Sequence, residues 1–81
     1  MPRAILLPPF SVDFFAGREA VEVQGATIFA LVRALDGMAP GFAEAAEVRA
    51  AIAVNGQVVG DWTTRLEPSD EVLFVPKVAG G

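Results

Sequence analysis

The sequence contains no cysteine and no histidine. The lack of cysteine excludes disulfides, thiolate sites for zinc or iron–sulfur clusters, a cysteine nucleophile, and sulfur carried as a cysteine persulfide. The lack of histidine excludes catalytic triads that use an imidazole base. Both absences leave few ways for this chain to perform chemistry with its own side chains.

Long apolar runs and an excess of basic residues are also missing. No stretch approaches the roughly 20 apolar residues of a transmembrane helix, and the N-terminus does not resemble a signal peptide. We therefore expect a cytoplasmic protein with no membrane partner, and the absence of cysteine suits such a reducing compartment. Ten acidic and six basic residues give a net charge of −4. Because phosphate neutralisation supplies most nucleic-acid affinity, we expect a protein partner with a basic surface and no nucleic acid.

The residues that are present suit one small domain with a real core. Of 81 residues, 53% are hydrophobic and 20% are charged. Alternating and continuous apolar patterns predict five strands. The first and last strands are apolar on both faces, which is typical of central strands. The predicted strands cover residues 3–7, 21–24, 51–54, 57–59 and 71–76.

One main helix is predicted between the second and third strands. Thr27 is the expected cap and Gly37 the expected end. An apolar stripe at helical spacing contains Ile28, Leu31, Val32, Leu35 and Met38.

Three further segments complete the predicted element order. The segment Phe10–Arg18, which holds three phenylalanines, is expected to be a connection, and Phe42–Ala50 could form another helical turn or two. Asn55-Gly56 predicts a two-residue hairpin, because both central residues of a type I′ turn need positive φ. The order β-β-α-β-β-β, with the first and last strands adjacent, predicts an α+β fold of the β-grasp, or ubiquitin-like, type. We expect residues 1–76 to form this domain and residues 77–81 to form a flexible tail.

The domain offers little that could act as an active site. Its closest carboxylates surround one turn. Carboxylates that are simply exposed to solvent there are favoured over a metal site. No Gly-rich phosphate loop is present, and the serine and threonine hydroxyls have no base beside them. We therefore expect no independent active site, no bound cofactor and no metal. The carboxylates concerned are Asp61, Glu67, Asp70 and Glu71.

The tail is the most distinctive segment. It reads Lys77-Val78-Ala79-Gly80-Gly81, and five extended residues reach at most about 17 Å. Two glycines remove the side chains that would bar a narrow channel, so the terminal carboxylate could enter the active site of another protein. A frayed terminus of small residues is the alternative interpretation.

Three segments together resemble a known family. The strand Asp70–Pro76 leads into Val78-Ala79-Gly80-Gly81, with Val54-Asn55-Gly56 and Gly25-Ala26-Thr27 upstream. This combination resembles the MoaD/ThiS family of sulfur-carrier proteins, and MoaD, the small subunit of molybdopterin synthase, more than ThiS. There are departures: the chain reads Pro76-Lys77 where many MoaD-like tails read Pro-Pro, and Trp62–Leu66 is similar to ThiS.

The resemblance implies a β-grasp domain that reacts through its C-terminal Gly-Gly. A ubiquitin-activating-type enzyme (E1-like) would adenylate the Gly81 carboxylate with ATP, and sulfur transfer would yield a thiocarboxylate. Gly81 would be the reacting residue, and Gly80, which has no side chain, would let the end of the chain enter a narrow channel. Partner binding would fall on an apolar patch near the tail, with Phe74, Lys77, Val78 and Ala79 as candidates.

Phe74 could instead be ordinary core. The last strand has one face toward the helix, and Leu73 and Val75 lie on the face opposite Phe74, so the two sets could exchange roles. The function implied first is sulfur donation in molybdopterin synthesis, with a larger synthase subunit as partner. A carrier for thiamine or another sulfur product, a protein modifier joined through Gly81 and a plain interaction module stay open. The Phe10–Phe15 segment could be a docking surface or a loop folded over the sheet edge.

Overall fold

In the computed structural model, which describes residues 1–77, five strands form one mixed sheet. Its order is β2-β1-β5-β3-β4, so the first and last strands are neighbours at its centre, as predicted. The strand β5 runs parallel to β1 and antiparallel to β3. The strands are β1 (Arg3–Leu6), β2 (Ala20–Glu22), β3 (Ala50–Val54), β4 (Gln57–Val58) and β5 (Glu71–Pro76).

In the described part of the chain, three helices accompany the sheet: α1 (Phe10–Phe15), α2 (Ile28–Met38) and α3 (Phe42–Arg49). The five strands and the main helix α2 follow the predicted order, which confirms the β-grasp arrangement, and α1 and α3 are added to it. Within residues 1–77, none of these helices combines the length and apolar character that crossing a membrane requires.

Helix α2 begins as the sequence predicts and ends later. The Thr27 hydroxyl accepts a hydrogen bond from the Ala30 N–H at 3.1 Å, which confirms the cap. The prediction that Gly37 ends the helix is wrong, because α2 continues through Gly37 to Met38. Met38 is 51% exposed and does not extend the buried stripe. The four fully buried residues of α2 are Ile28, Leu31, Val32 and Leu35.

The connection from α2 to α3 is held by one side chain. The Asp36 carboxylate accepts hydrogen bonds from the Gly41 N–H at 3.1 Å and the Ala43 N–H at 3.0 Å. These donors belong to the first turn of α3, whose N–H groups have no partner within the helix. Gly41, at φ 97°, occupies the left-handed region that favours glycine. The segment predicted as one or two helical turns is therefore a capped helix of eight residues.

Phe42 lies at the centre of an aromatic cluster between the helices and the sheet. The Phe42 side chain is fully buried, and its ring makes edge-to-face contacts with four others at centroid distances of 5.3–6.5 Å. These contacts join α1, α3 and β5. The segment predicted as a connection is thus a short helix whose phenylalanines complete the core. The four rings around Phe42 are Phe10, Phe14, Phe15 and Phe74.

Candidate functional site

The end of β5 is the point from which the tail leaves the domain. Pro76 is opposite Ala50, the first residue of β3. The Lys77 N–H then donates to the Arg49 carbonyl oxygen at 2.8 Å, which continues the pairing one residue past the strand. The pairing of β5 with the start of β3 therefore extends to Lys77.

Lys77 also contacts the C-terminal turn of α3. Its Nζ lies 3.4 Å from the Glu47 carbonyl oxygen. The carbonyl groups of a helix C-terminus lack partners within the helix and carry a partial negative charge, so an ammonium group is favourable there. The exposed Lys77 side chain thus lies against the last turn of α3, on the surface beside the exit of the tail.

Phe74, a predicted partner contact with core as its alternative, lies in the core. Its side chain is fully buried, and its ring centroid is 5.3 Å from that of Phe42. A side chain without exposed surface cannot touch a partner while the domain is folded. The docking interpretation of Phe74 is therefore corrected: this residue supports the end of β5 from inside.

The opposite face of the sheet carries the residues that were expected to exchange roles with Phe74. Leu73 and Val75 are half-buried there. Ile5 is opposite Leu73 across the β1–β5 pair, and Ala51 is opposite Val75 across the β3–β5 pair. Because paired residues share one face of a sheet, these four side chains form an apolar strip, here called the open-face strip (Ile5, Ala51, Leu73 and Val75).

Two depressions flank Lys77, one on each side of the last turn of α3. The larger, of about 620 Å³, lies between α3, β3 and the segment after β4, with Trp62 on its wall. The smaller, of about 330 Å³, lies between α1, α3 and the end of β5 and is here called the tail-root groove. The tail-root groove is lined by Pro9, Phe10, Val48, Arg49, Pro76 and Lys77.

Two of the four carboxylates considered for a metal site, Asp61 and Asp70, accept hydrogen bonds within turns. Asp70 accepts from the Glu67 N–H and from the Asn55 Nδ2, both at 2.8 Å, and these two bonds hold the pKa of Asp70 below its usual value. The Thr63 hydroxyl and N–H do the same to the pKa of Asp61. Within residues 1–77, no group of three or more acidic side chains could hold a metal ion. Both carboxyl groups therefore stay ionised near neutral pH and act as acceptors.

Of the predicted site residues, Phe74 and Lys77 fall within the described part of the chain, while Val78, Ala79, Gly80 and Gly81 lie outside it. Sequence reasoning missed Val48, which is 64% exposed beside the tail exit. The sequence held a signal for it. The buried residues of α3 are Phe42, Ala45 and Ala46, and Val48 is a branched apolar residue that does not continue their helical stripe.

Solved structures with this fold come from several organisms. CysO of Mycobacterium tuberculosis, described as an antigen, has a TM-score of 0.86 with 20% identity, covering 96% of this chain and 100% of CysO. Small archaeal modifier protein 1 from Methanosarcina acetivorans has a TM-score of 0.81 with 18% identity, covering 99% of this chain and 95% of that protein. These likenesses show the fold.

A third likeness is to a protein–protein complex. The complex of subunits 1 and 2 of the molybdopterin-converting factor from Helicobacter pylori contains a chain with a TM-score of 0.69 and 24% identity, covering 99% of this chain and 97% of that one. A comparison with curated proteins found no match. The family model of the ThiS family matches residues 11–81. The chain therefore belongs to the ThiS family, the MoaD/ThiS-like sulfur carriers with a ubiquitin fold.

Proposed function

We propose that this protein carries sulfur as a thiocarboxylate on Gly81 and donates it in molybdopterin synthesis. The observation that carries the proposal is the place at which β5 ends on the surface of the domain. The central strand β5 ends beside α3, where the Lys77 N–H donates to the Arg49 carbonyl oxygen. A central strand is a rigid base, so the tail begins at a defined point on the surface.

The reach of the tail suits reaction inside another protein. Four residues, 78–81, follow Lys77 and span at most about 14 Å when extended. Gly80 and Gly81 carry no side chains, which allows a close approach of a channel wall to the backbone. The carrier would supply the carboxylate and a docking surface, and the partner would supply the catalytic groups.

The chemistry proceeds in two balanced steps. The Gly81 carboxylate is ionised at neutral pH and is a poor acyl donor. Its oxygen attacks the α-phosphorus of ATP in the activating enzyme, which forms an acyl-adenylate and releases pyrophosphate. A hydrosulfide equivalent supplied by the partner then attacks the carbonyl carbon, the C–S bond forms, the C–O bond to AMP breaks, and a thiocarboxylate results. The chain itself binds no cofactor in this scheme, and ATP belongs to the activating enzyme.

The partners would be a ubiquitin-activating-type enzyme and a larger subunit that accepts the sulfur. The open-face strip and the exposed Lys77 offer a docking surface that is continuous with β5 and therefore with the tail. Val78 and Ala79 would contact the partner as the tail enters it. The complex containing the Helicobacter pylori chain of the same fold supports a protein partner and the molybdopterin assignment. A carrier for thiamine or another sulfur product would be activated and loaded with sulfur in the same steps and would differ only in the molecule that accepts the sulfur.

The test is the intact mass of the chain purified from its native cell. Replacement of one oxygen by sulfur at Gly81 supports the carrier, whereas attachment to other proteins supports a modifier that uses the same activation. A variant that lacks Gly81 is the matched control, since it keeps the whole described domain. Unchanged molybdopterin levels with this variant would contradict the assigned pathway. An unmodified wild-type terminus in cells that make every sulfur-containing cofactor would contradict the carrier itself.

A further inference from the structure

The start of helix α1 lines a groove to which carrying sulfur on Gly81 assigns no role. Pro9, just before α1, Val48 of α3 and Pro76 at the end of β5 line the tail-root groove. Phe10 also lines it, but its side chain is 1% exposed and adds little surface. Four of the six lining residues are apolar, and Val48 exposes 64% of its surface. An apolar groove therefore opens at the point from which the tail leaves.

Two cations border this groove. Arg49 and Lys77 line it together, and Lys77 Nζ has a carbonyl oxygen of α3 at 3.4 Å as its neighbour. In the part of the chain that the structure describes, the ion pair present is Arg3–Glu71, in which neither Arg49 nor Lys77 takes part. The protein as a whole has a net charge of −4. A local pair of positive charges on an acidic protein favours a partner surface with carboxylates.

The length of the tail identifies the occupant. Because residues 78–81 reach at most about 14 Å beyond Lys77, a protein that binds the Gly81 carboxylate must place its own surface close to the tail-root groove. We infer that the tail-root groove receives an apolar side chain flanked by carboxylates on the enzyme that adenylates Gly81. This inference rests on the proposed function and adds a contact on the helical side, separate from the open-face strip.

The test compares two valines of equal exposure. Val48 lines the groove and Val12 of α1 does not, and both are 64% exposed. Val48→Gln and Val12→Gln are assayed as full chains with the adenylating enzyme purified from the same organism, by ATP–pyrophosphate exchange. We expect Val48→Gln to raise the KM for the carrier about tenfold, the loss typical of a central interface residue, with kcat within about twofold of wild type. We expect Val12→Gln to leave both constants unchanged.

Charge supplies the second readout. At low salt, Arg49→Gln should have a higher KM than wild type. At high salt, the two KM values should be equal, because salt screens exposed charges. Equal KM values for the two valine variants would overturn the inference, as would a lower KM for Val48→Gln, which would mean that the chain's own tail fills the groove. If the wild-type chain supports no exchange, the proposed function fails and this contact fails with it. If the wild-type chain supports exchange and neither Val48→Gln nor Arg49→Gln changes it, only the proposed contact is wrong.

Discussion

Gly25 lies in the segment before helix α2, at a point where this segment comes close to the backbone of Leu31 in that helix. A Cβ at this position would lie 2.6 Å from the Leu31 backbone nitrogen and 2.7 Å from its Cα. These atoms belong to the first turns of α2 and cannot rotate away as the end of a flexible side chain could. Gly25, the first residue of the Gly25-Ala26-Thr27 segment in the family resemblance, is thus required by packing, and Thr27 adds the cap.

We expect Gly25→Ala to destabilise the domain by about 1–3 kcal/mol, because the backbone of α2 must shift to admit the methyl group. The control is Gly60→Ala, since a Cβ at Gly60 would meet nothing within 4 Å. The free energy of unfolding from urea titrations measures both variants. Equal stability of the two would show that the segment before α2 moves at little cost.

At the scale of elements, the hairpin of β3 and β4 is tied to the start of β5. Asn55 and Gly56 have φ values of 50° and 86°, as the predicted turn requires. The Asn55 side chain donates to Asp70 and accepts from the Glu71 N–H at 2.9 Å. One exposed turn therefore fixes the position of β5 relative to β3, and β5 in turn positions the tail.

The hydrogen bonds that Asp70 accepts from Asn55 and Glu67 predict a dependence of stability on pH. The pKa of Asp70 is lowered in the folded state, so its contribution is complete above the ordinary value of 3.8 and is lost as the pH falls through the folded pKa. Asp70→Asn keeps the shape but removes one of the two acceptor oxygens. We expect the variant to melt below wild type at pH 7 and the difference to shrink at acidic pH below 3.8, as followed by thermal melts.

Glu22→Gln is the control for this pH series. Glu22 is an exposed carboxylate on β2, and within residues 1–77 its side chain makes no hydrogen bond. Its substitution removes one negative charge without removing a hydrogen bond, so it shows how much of the change with pH comes from charge alone. If the melting temperature of Asp70→Asn differs from that of wild type by the same amount at pH 7 and at acidic pH, the ionised Asp70 carboxylate does not stabilise the fold as proposed.

On the scale of the whole molecule, the sheet joins the two ends of the sequence. The strand β1 pairs with β2 on one side and with β5 on the other. Its residues Ala4 and Leu6 are fully buried. The domain is therefore closed by a parallel pair between its first and last strands, and β5 cannot be supported on both sides unless β1 is present.

We expect removal of residues 1–7 to abolish cooperative unfolding, because it takes away a central strand and its buried side chains. Removal of residues 78–81 should leave the urea midpoint within the error of wild type while abolishing activation, since the strands and helices found in the described residues 1–77 all lie within residues 3–76. Circular dichroism during urea titration measures both truncations. A cooperative transition without residues 1–7 would show that the remaining strands close the core unaided.

Several features of this protein follow from the sequence alone because they depend on local chemistry. The Asn55-Gly56 turn needs residues that tolerate positive φ, and the Thr27 cap needs a hydroxyl before an apolar helix. Continuous apolar runs predicted β1 and β5 as central strands, and the sheet order confirms this position, although the helices cover only one of the two faces. Composition excluded thiol and imidazole chemistry, and the Gly-Gly end directed attention to the tail.

Only the tertiary structure decided which apolar residues are available to a partner. Phe74 and Leu73 are equally apolar neighbours in β5, so no pattern could assign their faces; the helices cover one face and bury Phe74. The six residues of α1 are too few to show a helical period, and its role emerged from rings that meet at Phe42. Val48 and Arg49 reach the tail exit because α3 runs directly into β3, which pairs antiparallel with β5 and so begins where β5 ends.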